Sequence, residues 1–265
     1  MSPVALLILT ALLLATPRLL QVFPRLQTEA EAEEGGEIHG ILLILWWVNR
    51  LYCLVWHRLR ISGWAPLPPR GAAILIANHT SGVDNLLLQA GCWRVLGFMV
   101  AREFYEWPLI HRFCRLTRCI PVNRDGRDLA AIRAGLRALQ EGRVVPIFPE
   151  GRIHPRSGRE LGPIRPGAAF LAIRSGVPVI PAYIRGTPET SSVFKALLTP
   201  SRTFVVYGQP IDLTEFKPRD AGVKEVQEAV SDRFRTVLLE LKSQAEAARR
   251  GGNAGGGDRE RGDLG

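Results

Sequence analysis

From residue 72 onward the apolar residues come in short unbroken runs, each closed by Gly, Pro or small polar residues. Ala72 to Ala77 is such a run, and a run of this length without alternation reads as a strand buried on both faces. Leu96 to Ala101, Cys119 to Asn123, Val144 to Phe148, Val177 to Ile184 and Thr203 to Tyr207 read the same way. Pro178 and Pro181 place the fifth of these at a sheet edge or in an irregular position. Helical stretches lie between them: Asn85 to Ala90, Trp107 to Leu116, Asp128 to Gln140, Gly167 to Arg174 and Val223 to Leu241. In Asp128 to Gln140 the apolar positions 129, 132, 136 and 139 line one face, and Gly142 stops the helix. The alternation predicts an α/β domain, with a largely parallel or mixed central sheet flanked by helices.

The first 62 residues have a different pattern. Val4 to Ala15 is apolar except for Thr10 and continues to Leu20. It has neither a basic leader flank nor a clean small-residue cleavage signal. It is short for a full crossing, so a short or tilted anchor and a half-inserted helix both fit. Glu29 to Glu37 is an acidic, Gly-containing linker. Ile38 to Trp56 is a second apolar segment, broken by Asn49 and Arg50 and carrying Trp46, Trp47, Tyr52 and Trp56 ahead of His57, Arg58 and Arg60. Aromatics backed by Arg mark a helix lying at a bilayer surface, and the basic flank puts the remainder of the chain on the cytoplasmic side. The expected organisation is a membrane-associated helical region over 1–62, a catalytic-type domain over 63–250 and a disordered Gly-rich tail over 251–265.

Composition narrows the partners. The net charge is +9 and only four of the 34 basic residues are Lys. A basic chain suits nucleic acid, an anionic lipid surface or acidic small substrates. No helix-turn-helix, ribonucleoprotein or zinc signature supports nucleic acid. Cys53, Cys92, Cys114 and Cys119 lack zinc-finger spacing, and His39, His57, His111 and His154 are scattered, so no metal site is expected. Reduced, buried thiols are the default for such cysteines and favour the cytosolic side of a membrane.

Candidate chemistry sits at strand ends, where open α/β sheets place their crevices. Asn78-His79-Thr80-Ser81-Gly82-Val83-Asp84 comes directly after the first strand. A loop that turns back lets Asp84 fix the tautomer of His79, which then serves as a general base. The same residues also fit a plainer pair of roles, with His79 closing a strand and Asp84 capping a helix. Phe148-Pro149-Glu150-Gly151-Arg152 lies at the end of another strand. There Gly151 permits close backbone approach, Arg152 offers a fork to phosphate, and Glu150 can orient it or bind a substrate hydroxyl. Arg124 ends a third strand.

These blocks resemble the glycerolipid acyltransferase family, which includes the 1-acylglycerol-3-phosphate acyltransferases. The family carries an Asn-His with an Asp after four intervening residues, matched by Asn78 to Asp84. Its second block is an apolar strand ending in Arg, matched by Ile120 to Arg124. Its third is Phe-Pro-Glu-Gly with an Arg shortly after, matched by Phe148 to Arg152. Its fourth is matched by Val177 to Pro181, with Arg185-Gly186-Thr187 behind. The resemblance covers about residues 60 to 210. The chain departs from it where Gly151 is followed directly by Arg152 without the usual Thr, where Asn123 replaces a common Asp, and where Arg102 replaces a common Lys.

The resemblance implies transfer of a fatty acyl group from acyl-CoA or acyl-carrier protein, as co-substrate, to a lysophospholipid hydroxyl at a membrane, with no further cofactor. It implies His79 as base, Asp84 as its holder, and Arg124, Gly151 and Arg152 on the acceptor phosphate with Glu150 in support. Val177 to Pro181 would wall the acyl chain. Three rivals stand beside it. One is a hydrolase using Ser81, although no Gly-x-Ser-x-Gly elbow is present. The second is a transacylase or an acyltransferase on another lyso-lipid. The third is a non-enzymatic basic protein of the membrane surface.

Overall fold

The computed structural model describes residues 38–123, 129–154, 156–190 and 192–254. The expected segment Val4 to Leu20, the acidic linker, Arg124 and the chain beyond residue 254 lie outside them. The elements run α1 (Ile41–Val55), β1 (Arg60–Ile61), β2 (Ala73–Ala77), α2 (Asp84–Ala90), β3 (Met99–Ala101), α3 (Arg102–Tyr105), α4 (Pro108–Leu116) and β4 (Ile120–Val122). They continue with α5 (Leu129–Gln140), β5 (Val144–Ile147), α6 (Pro166–Ser175), β6 (Val179–Arg185), α7 (Val193–Leu198), β7 (Phe204–Tyr207), a 3-10 turn at Pro218–Asp220 and α8 (Lys224–Ala254).

Five strands form one mixed sheet in the order β1-β7-β6-β2-β5. β2 runs parallel to β5 and to β6, while β7 runs antiparallel to β6. β2 is buried along its whole length because both of its faces are covered. Ala73, Leu75 and Ala77 pack on the α1–α2 side. Ile74 and Ile76 pack on the side of α5, α6 and α8. Full burial of each Leu or Ile contributes about 1.5–3 kcal/mol, which is why an unbroken apolar run forms the centre of the sheet. Because β2, β5 and β6 are parallel, their carboxyl ends open on one edge. The loops that begin at Asn78, Phe148 and Gly186 therefore meet there.

Three local expectations change. β6 is an interior strand, paired on both sides, despite its prolines. The carbonyl of Pro178 accepts from Ile74 N–H, so even-numbered residues of this strand bond toward β2 and odd-numbered ones toward β7. The donor that Pro181 lacks would therefore face Gly208, just past the end of β7, where regular pairing gives way to a single bridge between Val179 and Ile211. Its carbonyl still accepts from Gly208 N–H at 2.9 Å. The strand expected over 96–101 is shorter: Leu96 alone bridges Val144, and the chain then leaves the main sheet to pair β3 with β4. Helix α8 reaches Ala254, well past the expected end at Leu241 and into the stretch read as a tail.

Helix α1 belongs to the compact unit that begins at Ile38, whereas the sequence pattern predicts a separate N-terminal region there. Its inward face carries the polar residues that interrupt the apolar pattern. Trp46 Nε1 donates to Cys92 O at 2.8 Å, Asn49 Nδ2 to Leu86 O at 3.0 Å, and Arg50 Nη1 to Ala90 O. Two of these acceptors, Ala90 O and Cys92 O, lie at and beyond the end of α2, where a helix leaves its carbonyls open, while Leu86 O lies inside the helix. The Arg50 guanidinium also lies 4.4 Å over the Trp64 ring. The outward face is apolar, with Ile41, Ile44, Val48, Leu51 and Val55 all exposed. Among the described residues no helix is long and apolar enough to cross a membrane.

Candidate active site

Asn78 sets the exit of the chain from β2. Its Nδ2 donates to Ile184 O at 2.8 Å and its Oδ1 accepts from Ile184 N–H at 2.7 Å. The amide thus serves as one more rung between β2 and β6, made by a side chain instead of backbone. The next residue, His79, leaves the sheet from a fixed point. Its backbone N–H donates to Glu150 Oε1 at 2.8 Å, and its ring stacks on Phe148 with centroids 4.1 Å apart. Three restraints on one residue leave its imidazole little freedom.

The fourth restraint is chemical. His79 Nδ1 lies 2.8 Å from Asp84 Oδ2. Asp84 is fully buried, whereas the His79 side chain keeps 21% of its exposure. The carboxylate also accepts from Thr80 N–H at 2.5 Å, Ser81 N–H at 2.9 Å and Thr80 Oγ1 at 2.9 Å. Four donors for one carboxylate make a satisfied buried anion. Asp84 is the first residue of α2, but its side chain reaches back into the loop and does not cap the helix; the cap position is Val83, which has no side-chain bond. The helix N-terminus adds its own positive end to this anion site. With Nδ1–H donating to the carboxylate, neutral His79 presents the lone pair of Nε2 outward.

The loop is packed from behind. Thr187 Oγ1 donates to Thr80 Oγ1 at 2.9 Å, tying in the loop after β6. At Gly82 an added Cβ would come within 2.7 Å of Val193 Cα, so glycine is what lets the start of α7 close on this turn. Ser81 is fully buried and its hydroxyl has no partner among the described residues, His79 included, so the two do not pair.

Glu150 is 2% exposed and both of its oxygens are taken. Oε1 binds His79 N–H and Oε2 binds Gly162 N–H at 2.7 Å. Burial pushes this carboxyl above its ordinary value, and the two backbone N–H groups oppose the rise. Its observed place is a strut between two loops. Glutamine at 150 can accept from only one of the two N–H groups and turns a donor on the other. Glu150→Gln is expected to lower stability by about 1–3 kcal/mol and slow turnover by ~10-fold, read by urea unfolding and initial rates.

Gly151 sits beside this strut with φ +75° and is exposed, as is Arg152. His79, Asp84, Glu150 and Gly151 are thus brought to one edge of the sheet. Arg124 lies outside the described residues. Val177 to Pro181 do not share that edge: Val179 pairs with Ile74 near the start of β2, at the opposite end of the strand from the crevice. Of this stretch only Pro181, opposite Ile76, comes near the crevice end. A residue that no sequence motif singles out does reach it. Arg165 Nε donates to the Glu150 carbonyl at 3.2 Å, and Arg165 N–H to Pro149 O at 2.8 Å. No motif spacing marks Arg165, because the contact depends on how the loop from 152 to 164 folds back.

Residues 58–185 match the Acyltransferase family. The chain is 24% identical over 178 residues to a 1-acyl-sn-glycerol-3-phosphate acyltransferase of Bacillus subtilis, covering 66% of this chain and 85% of that one. It is 31% identical over 157 residues to a lyso-ornithine lipid O-acyltransferase of Pseudomonas aeruginosa, covering 57% and 58%. The crystal structure of a 1-acyl-sn-glycerophosphate acyltransferase from Thermotoga maritima superposes with a TM-score of 0.59 at 21% identity, over 84% of this chain and 86% of that one, and so shares the fold.

Proposed function

We propose that the chain is an O-acyltransferase of the glycerolipid acyltransferase type and that it acylates the free hydroxyl of a lysophospholipid, 1-acyl-sn-glycerol 3-phosphate in the first place; the match of residues 58–185 to the Acyltransferase family supports this reading. The observation that carries this reading is the His79–Asp84 pair, with Nδ1 held at 2.8 Å and Nε2 facing outward. Nε2 takes the proton of the acceptor hydroxyl as its oxygen attacks the thioester carbonyl. The C–S bond breaks, an ester forms, and the imidazolium returns its proton to the leaving sulfur. Asp84 stabilises the imidazolium between these steps. The thioester is already activated, so no enzyme nucleophile is required, in keeping with the buried Ser81.

The donor is acyl-CoA or acyl-carrier protein. The exposed stripe Ile41, Ile44, Val48, Leu51 and Val55 supports placement of α1 against lipid, with Arg58 and Arg60 on the cytoplasmic side. Apolar surface also lies beside the site: Phe194 of α7 stacks on Trp107 at 5.8 Å, and both are exposed. A second acceptor class is supported by the lyso-ornithine lipid relative.

One assay separates these. Membranes holding the protein receive labelled acyl-CoA or acyl-carrier protein with 1-acyl-sn-glycerol 3-phosphate, lyso-ornithine lipid or glycerol 3-phosphate, and products are identified by mass. Phosphatidic acid is the expected product. Acylation of the aminolipid alone would reject the phosphate-bearing acceptor and keep the acyltransferase.

A further inference from the structure

The expected phosphate fork at the third block is Arg152, yet that side chain is exposed and no described residue anchors it. Arg165 is anchored. Its side chain lies across the face of Gly151: a Cβ added there would stand 2.6 Å from Nε, 2.7 Å from Cδ and 3.3 Å from Cζ. Glycine is needed twice at this position, for φ +75° and for the space that Arg165 fills. Nε is used on the Glu150 carbonyl, and the backbone N–H on Pro149 O. Among the described residues no carboxylate pairs with this guanidinium. Glu150, the nearest acid in the loop, has both oxygens on backbone N–H groups. Nη1 and Nη2 are therefore held out from a fixed stem, one residue away from the strut that grips His79.

We propose that Arg165, laid over Gly151, is a binding residue for the anionic headgroup of the acyl acceptor. A guanidinium whose stem is immobilised presents its two terminal nitrogens in a fork that matches phosphate oxygens, at little further cost in side-chain freedom. Arg152 lacks that anchor among the described residues. The role rests on the phosphate-bearing acceptor proposed above.

The test measures Arg165→Gln, Arg165→Lys and Arg152→Gln in the full chain, with 1-acyl-sn-glycerol 3-phosphate varied at saturating acyl-CoA and then the reverse. Arg165→Gln is expected to raise the KM for the acceptor ~10–100-fold, with the KM for the donor and kcat within ~3-fold of the parent. Arg165→Lys, which keeps the charge and loses the fork, is expected to lie between. Glycerol 3-phosphate, added as a competitor against the acceptor, should inhibit the parent and lose its effect in Arg165→Gln. A role confined to holding the loop would lower kcat and the melting temperature together and leave the two KM values in proportion, which would overturn the assignment. A larger acceptor-KM rise in Arg152→Gln than in Arg165→Gln would overturn it too. A parent enzyme that ignores phosphate-bearing acceptors fails the underlying reading instead, and that shows before any variant is made.

Discussion

His79→Ala loses acyl transfer by ~10²–10⁴-fold while the protein stays folded. The two halves of this expectation come from different contacts. Removal of the imidazole deletes the group positioned to take the acceptor proton, and among the described residues neither Ser81, which is buried, nor Glu150, whose oxygens are both engaged, can replace it. The fold loses little. The Glu150 bond comes from the backbone N–H of residue 79 and survives the substitution. Asp84 keeps three of its four donors, from Thr80 N–H, Thr80 Oγ1 and Ser81 N–H. The remaining losses are one face of the Phe148 ring and one charge-assisted bond, together ~1–3 kcal/mol. Thiol release from acyl-CoA gives the rate and circular dichroism the fold. A folded His79→Ala that transfers at more than a tenth of the parent rate removes the general base from the mechanism.

The sheet and its loops are legible in the sequence because their signals are local. Ala72 to Ala77 is apolar at every position, as a strand covered on both faces must be, and the small polar residues after it mark the crevice edge. The His79–Asp84 spacing needs only a loop that turns back, and Gly82 allows it. The features that the pattern misplaces depend on partners distant in sequence. Asn49 and Arg50 look like interruptions of an apolar helix. They are the residues that face inward, Arg50 onto the open Ala90 carbonyl at the end of α2 and Asn49 onto the Leu86 carbonyl within it, and apolar side chains cannot supply those donors. Pro181 looks like an edge residue, and only the length of β7 decides that its missing donor has nothing to bond. Val177 to Pro181 suggests an acyl wall by its place in a motif, but strand direction puts its first residues at the far end of β6, and only Pro181, opposite Ile76, comes near the crevice. Arg165 carries no local mark at all. Its side chain finds Gly151 across an intervening loop, and a pattern read along the chain does not contain that contact.

Two substitutions at Asp84 separate charge from structure. Alanine leaves Thr80 N–H, Ser81 N–H, Thr80 Oγ1 and His79 Nδ1 facing a fully buried gap. Each orphaned donor costs about 1–3 kcal/mol, and the four together, though not additive, approach the ~5–15 kcal/mol that holds an ordinary domain together. Asp84→Ala is therefore expected to unfold or fail to accumulate, and its inactivity says nothing about mechanism. Asparagine is the informative change. Its carbonyl, in the place of Oδ2, can accept from His79, Thr80 N–H and Ser81 N–H. Its amide, in the place of Oδ1, meets the Thr80 hydroxyl, which can turn to accept. Stability then falls by only ~1–2 kcal/mol, the difference between charged and neutral hydrogen bonds. The imidazolium that forms during transfer loses its counter-charge. If the amide flips so that its N–H₂ meets Nδ1, it holds the tautomer that has no lone pair on Nε2. Either orientation disables the base, and acyl transfer is expected to drop ~10²–10⁴-fold in a protein that still unfolds cooperatively in urea. An Asp84→Asn enzyme that keeps a tenth of its activity would mean that the buried carboxylate serves the loop alone and that His79 works without it.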